Sequence, residues 1–139
     1  MGDGQPSQPG PLGGVRVLVV EDVAMLAWQV RDVLVGAGAE VVGLASDVPC
    51  ALALLEGHAV DAAVLDMNLG GESADPIADA LCAREVPFLF LTGYGSGDAE
   101  GRHAARPTLG KPLRAAALVG VLADLVAGRP GAMGRGQGA

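Results

Sequence analysis

The sequence predicts an α/β fold, a doubly wound parallel sheet of five strands with helices on both faces. Short apolar runs recur along the chain at 15–20, 40–45, 62–65, 87–91 and 107–109, the lengths and residue types of buried strands. Segments with apolar residues at helical spacing lie between most of them. Strands that alternate with helices imply right-handed crossovers and a sheet covered on both sides.

Residues 1–14 are rich in Gly, Pro and Gln and are expected to form a mobile tail. Val15-Arg-Val-Leu-Val-Val20 is the first strand and stops at Glu21-Asp22. Adjacent carboxylates at a strand end repel each other, so either a bound cation or the positive end of a helix, with Asp22 as its cap, would account for them. The first helix is expected from Val23 to Val35, ending at Gly36-Ala-Gly38. Leu26, Val30, Val33 and Leu34 form its inward stripe, while Trp28 and Val35 point outward near Arg31 and Asp32. An outward Trp is either a docking anchor or a single exposed aromatic.

Glu40–Ala45 is the second strand. Ser46 or Asp47 caps the second helix, with Pro49 in its first turn and its end near Glu56-Gly57. His58 follows in a loop and is expected to be solvated, with no nearby partner. The third strand, Ala62–Leu65, ends on Asp66, a carboxylate that an apolar core would not accept. Gly70 and Gly71 then turn the chain tightly away. Alone, Asp66 reads as a turn or helix cap, yet it also stands beyond a strand's carboxyl end, where parallel sheets bind ligands. Asp75-Pro76 reads as N-cap and first position of a third helix reaching about Arg84.

Pro87-Phe-Leu-Phe-Leu91 is the fourth strand, followed by Thr92-Gly93-Tyr94-Gly95. No helical stripe can be drawn through 93–106, so a loop with at most one short helical turn is expected there. Pro107–Leu109 is a short fifth strand leading to Gly110-Lys111-Pro112. The last helix covers Leu113 to Ala127 with Arg114 and Asp124 as its only charges. One face packs on the sheet and the other is a candidate partner surface, which leaves room for a homodimer. Residues 128–139 form a second tail, so the ordered domain is 15–127.

Composition narrows the function classes. Sixteen acidic against nine basic residues give a formal charge of −7, which argues against nucleic acid and anionic membrane as partners. No apolar stretch is long enough to span a membrane, and the start lacks the features of a signal peptide, so a cytoplasmic location is expected. Cys50 and Cys82 lack metal-like spacing and read as buried free thiols, with a redox pair as the alternative.

Taken together, the strand ends deliver Glu21-Asp22, Asp66, Thr92 and Lys111 to one rim. Carboxylates in a cluster suit Mg²⁺, while a lysine and a hydroxyl opposite suit a phosphoryl group. The set describes an aspartate that accepts phosphate with metal assistance.

In this order Val-Val-Glu21-Asp22, Val-Leu-Asp66-Met-Asn68, Leu-Thr92-Gly and Lys111-Pro112 resemble the receiver domains of two-component response regulators, over residues 15–127. The resemblance implies a flavodoxin-like sheet in the order 2-1-3-4-5. It also implies that Asp66 is the phosphoacceptor, served by a sensor histidine kinase or a histidine phosphotransfer protein. Asp22, Asp66 and the backbone carbonyl of Asn68 would then bind Mg²⁺, with Glu21 acting through water. Lys111 and Thr92 would contact the phosphoryl group, as would the backbone N–H groups of Met67 and Gly93. Lys111-Pro112 would be a cis peptide. Receivers usually carry an aromatic two residues before the lysine, where this chain has Leu109.

Phe90-Leu-Thr-Gly-Tyr-Gly95 is similar to a receiver subgroup with a Phe-Ala-Thr-Gly-Tyr signature, known largely as stand-alone receivers with an atypical fourth helix. Phosphorylation would order the 93–106 loop, with Tyr94 in the role of the missing aromatic. The implied protein is a phosphoacceptor in signalling rather than an enzyme. A phosphohydrolase of the haloacid dehalogenase type would need a second aspartate where Asn68 stands. A flavin-binding module would need a phosphate loop where Glu21-Asp22-Val23 stands. An unphosphorylated docking module would keep the same pocket.

Overall fold

The computed structural model of the chain describes residues 10–92 and 106–128. Its main sheet contains β1 (Arg16–Val20), β2 (Glu40–Ala45), β3 (Ala62–Asp66), β6 (Phe88–Thr92) and β7 (Thr108–Gly110). These five strands are all parallel, in the order β2-β1-β3-β6-β7. Counted within this sheet alone, that is the expected 2-1-3-4-5 arrangement. The intervening β4 (Asn68–Leu69) and β5 (Glu72–Ser73) form a separate antiparallel hairpin that the sequence reading did not anticipate.

Alternation along each strand sends successive side chains to opposite faces, and two cores result. Val17, Val19, Ala62, Val64, Leu89 and Leu91 pack with Val30 and Leu34 of α1 (Ala24–Gly36) and with Leu118 and Leu122 of α4 (Ala115–Gly128). Leu18, Val20, Ala63, Leu65, Phe88 and Phe90 pack instead on α2 (Val48–Gly57) and α3 (Asp75–Ala83). Every residue of β3 is buried, as a central strand covered on both faces requires. Phe88 and Phe90 meet edge to face with centroids 5.6 Å apart.

Local chemistry sets the helix ends. Asp47 caps α2, its side chain accepting the Cys50 N–H at 2.9 Å. At α3 the expected cap moves by one residue: Ala74 is the N-cap, Asp75 lies in the first turn, and Ser73 Oγ accepts the Asp75 N–H at 3.0 Å. On α1 the buried face is Ala27, Val30 and Leu34, while Leu26 and Val33 from the expected stripe are half-buried at its flanks. Trp28 and Val35 are exposed as expected, and so is Met25.

Three further expectations need correction. Residues 10–14 are not part of a tail: Leu12 is fully buried against α1 and α4 residues, and its N–H donates to Ala37 O at 2.9 Å. A single apolar residue in a Gly/Pro-rich stretch found a gap at the sheet's amino end, which composition does not reveal. Cys50 is exposed rather than buried, because Asp47 starts α2 so that Ala51 and Leu55 face inward; Cys82 is half-buried. His58 is exposed but has a partner, its Nδ1 lying 3.2 Å from Leu54 O. The 93–106 loop and its atypical helix lie outside the described residues, except for Arg106. That guanidinium donates to Cys82 Sγ at 3.0 Å and stacks 4.8 Å from the Phe88 centroid, which holds the start of β7.

Leu12→Ala should lower the unfolding free energy by about 2–4 kcal/mol, the usual cost of a vacated leucine site. Urea denaturation of wild type and variant measures it. Equal stability would place residues 10–14 outside the cooperative fold.

Candidate metal and phosphoryl site

Parallel strands end on the same side, so each apolar run delivers its first polar residue to one rim. From β1 comes Glu21, whose N–H donates to Ala45 O at 2.9 Å, followed by the exposed Asp22. Asp66 is the last residue of β3, and Thr92 the last of β6. The register pairs Asp66 with Leu91 and Thr92 with Gly110. Lys111 then donates its N–H to Thr92 O at 2.8 Å, and the Lys111-Pro112 bond is cis, as the resemblance implied.

The side chains converge as the backbone dictates. Lys111 Nζ lies 3.0 Å from Glu21 Oε1 and 3.4 Å from Asp66 Oδ2. Glu21 and Asp66 are the two buried charged residues among those described, at 2% and 5% exposure. Glu21 Oε2 accepts the Val23 N–H at 3.2 Å. Its Oε1 has the ion pair with Lys111 but no aligned hydrogen bond.

Burial pushes the Glu21 carboxyl up to about 7, and contact with Asp66 adds to the rise, while Lys111 and the Val23 N–H oppose it. For Lys111, burial disfavours the charged form, but Glu21 and Asp66 more than offset this and its pKa is raised. One ammonium thus pairs with two of the cluster's three carboxylates, and the pocket holds more acids than bases.

One oxygen each from Glu21, Asp22 and Asp66 lie within 4.8 Å of one another. Hard oxygen donors at that separation, on residues that include the buried Glu21 whose Oε1 lacks a hydrogen bond, fit a divalent cation such as Mg²⁺. The structure therefore brings together five of the residues that the sequence singled out: Glu21, Asp22, Asp66, Thr92 and Lys111.

The Met67 expectation is overturned. Its N–H donates to Leu91 O at 3.0 Å as the last rung between β3 and β6, so the sheet has already consumed that donor. Gly93 and Tyr94 lie outside the described residues. The β4–β5 hairpin beside the acids was missed, although Gly70-Gly71 between short polar flanks was a usable signal. Both glycines have positive φ, +65° and +96°, as a two-residue hairpin turn needs.

A buried acid that holds its proton more tightly folded than unfolded makes stability fall as pH rises. For the metal-free chain the window is set by Glu21, from the ordinary 4.5 up to about 7. Its contribution is fully present below that window and lost above it. Urea denaturation in chelator across this range should show falling stability, and Glu21→Gln should flatten the slope. An unchanged slope in the variant would locate the effect elsewhere.

No family model matches the chain. Over 84 residues it is 29% identical to the transcriptional regulatory protein PdtaR of Mycobacterium tuberculosis, a match covering 60% of this chain and 41% of that protein. The chain thus spans well under half the length of the curated relative it matches. Among solved structures, SdrG of Sphingomonas melonis Fr1 is 38% identical, with a TM-score of 0.73 over 81% of this chain and 97% of SdrG. SdrG in its BeF₃-activated conformation gives a TM-score of 0.70, covering 82% of this chain and 98% of that one. The receiver domain of the response regulator PhyR from Erythrobacter litoralis superposes with a TM-score of 0.77 over 91% of this chain and all of that domain. At 22% identity it speaks to the fold alone. With this sheet order, an acidic rim answered by one lysine, and SdrG matched over nearly its whole length, the chain belongs to the receiver-domain family of response regulators.

Proposed function

We propose that this receiver accepts a phosphoryl group on Asp66 from a phosphohistidine of a sensor kinase or a phosphotransfer protein, in the cytoplasm. The observation that carries the proposal is the Lys111 ammonium lying within 3.4 Å of a buried Asp66 carboxylate at the mouth of a carboxylate cluster. An Asp66 carboxylate oxygen attacks phosphorus, the P–N bond breaks, and its electron pair returns to the donor imidazole. The product on this chain is an acyl phosphate.

Each residue has a part that follows from its position. Asp22 and Asp66 supply the side-chain oxygens that would hold Mg²⁺ directly, with the main-chain carbonyl of Asn68 as a further ligand. A cation held there would supply charge neutralisation for the transferring group. Glu21, already clamped by Lys111, acts at one remove and keeps the cluster anionic. Lys111 transfers its contact from the unphosphorylated Asp66 carboxylate to a phosphoryl oxygen as charge builds there. Thr92, at the end of β6, offers its hydroxyl to another.

The reading extends to the chain's subgroup and output. Phe90-Leu-Thr92-Gly-Tyr94 supports membership in the Phe-Ala-Thr-Gly-Tyr group. The added charge of roughly −1.5 to −2 is transmitted through residues 93–106 and α4. SdrG, observed in a BeF₃-activated conformation, supports the use of beryllofluoride as the phosphoryl mimic.

Titration with Mg²⁺ and beryllofluoride, followed by amide NMR, tests this without the kinase. Saturable shifts at residues around Asp66 and in 93–106 are expected, and Asp66→Asn should abolish them. Lys111→Ala should slow phosphorylation by acetyl phosphate about a hundredfold, the scale of losing one transition-state charge contact. A wild-type protein that gives no shifts would overturn the phosphoacceptor reading.

A further inference from the structure

The β4–β5 hairpin lies beside the acidic cluster and carries none of its three acids. Its turn residues are inequivalent. A Cβ built on Gly70 would come 3.5 Å from Asp22 Oδ2, whereas one on Gly71 would meet nothing within 4 Å. The hairpin is anchored: Leu69 is 5% exposed and belongs to the core under α2 and α3. Leu69 pairs with Glu72 and Asn68 with Ser73, so the turn is held in a set register, with Gly70 beside Asp22. Asp22 is exposed and is the cluster's solvent-facing acid. Of the two turn residues, Gly70 is the one from which a Cβ would reach contact distance of the Asp22 carboxylate.

We infer that Gly70 is a positioning residue of the cation site: its missing side chain keeps Oδ2 of Asp22 open to a hydrated divalent ion. This inference rests on the metal-binding reading above. A cation such as Mg²⁺ retains several waters and needs room for them around each ligand oxygen. A side chain at 70 would take up that room at van der Waals distance from Oδ2. An amide there would also offer the carboxylate a hydrogen bond and occupy the lone pair that the ion needs.

The turn and the vacancy are separable, because asparagine tolerates positive φ and is favoured at the first position of such a turn. Gly70→Asn should therefore preserve the hairpin and its stability while weakening Mg²⁺ affinity about tenfold, the scale seen when groups around a metal's ligands are changed. Gly71→Asn adds the same side chain one residue on, away from the acids, and should leave affinity within about twofold. Mg²⁺ titrations monitored by amide NMR give the affinities, and urea midpoints in chelator report any loss of fold.

Weakened binding in Gly70→Asn alone, with an unchanged midpoint, is the expected result. Equal affinity in wild type and Gly70→Asn would overturn the inference and leave the metal site intact. Equal weakening in both variants would also overturn it, by assigning the effect to the turn. Should wild type itself bind no Mg²⁺, the failure would belong to the metal-binding reading.

Discussion

A single ammonium, that of Lys111, stands between two carboxylates buried at the ends of different strands. The bridge ties β7, at the sheet edge, to β1 and β3 in its centre. Without the lysine, Glu21 and Asp66 would face each other out of water, an arrangement whose desolvation cost is large. With it the cluster is tolerable but not neutral, since Asp22 adds a third carboxylate at the same rim. The residual negative charge is what makes the pocket receptive to a divalent cation. The structural role and the proposed chemical one thus fall on one side chain.

The sheet supplies the precision this arrangement needs. Backbone ladders hold Asp66 in register with Leu91, and Thr92 with Gly110, so the functional groups inherit the position of the strands. Below the rim the core is built mainly from Val, Leu and Ala on both faces, with the Phe88–Phe90 pair packed edge to face within it. Alternating strand residues divide into the two cores so completely that polar groups have only the strand ends to occupy. At the opposite end of β7, Arg106 locks onto Cys82 and Phe88. The short edge strand is therefore fixed at both ends.

The rim is shaped from outside by the Gly70–Gly71 turn. Leu69 in the core holds the hairpin down, and two positive-φ residues fold it back beside Asp22. A site made of three acids needs space for hydration as much as it needs charge. Backbone geometry at this turn governs that space, whereas the strands govern the charge.

Much of this was legible in the residues themselves. Apolar runs interrupted by Glu21, Asp66, Thr92 and Lys111 announced both the strands and the polar groups at their ends, because a buried strand can change character only where it leaves the core. The Asp47 cap and outward Trp28 were equally readable, being local matters of turn chemistry and helical period. Other features depended on partners distant in sequence. Leu12 is core only because α1 and α4 leave a place for it, and Cys50 is exposed only because of how α2 is rolled. Met67 illustrates the limit best: its N–H looked available until the register of β3 against β6 gave it to Leu91. The sequence by itself determined which chemical groups stand at the strand ends, since that follows from local pattern. Tertiary structure decided which backbone donors remain free, how far the acids stand apart and how much room Asp22 has, since those are set by contacts between segments far apart along the chain.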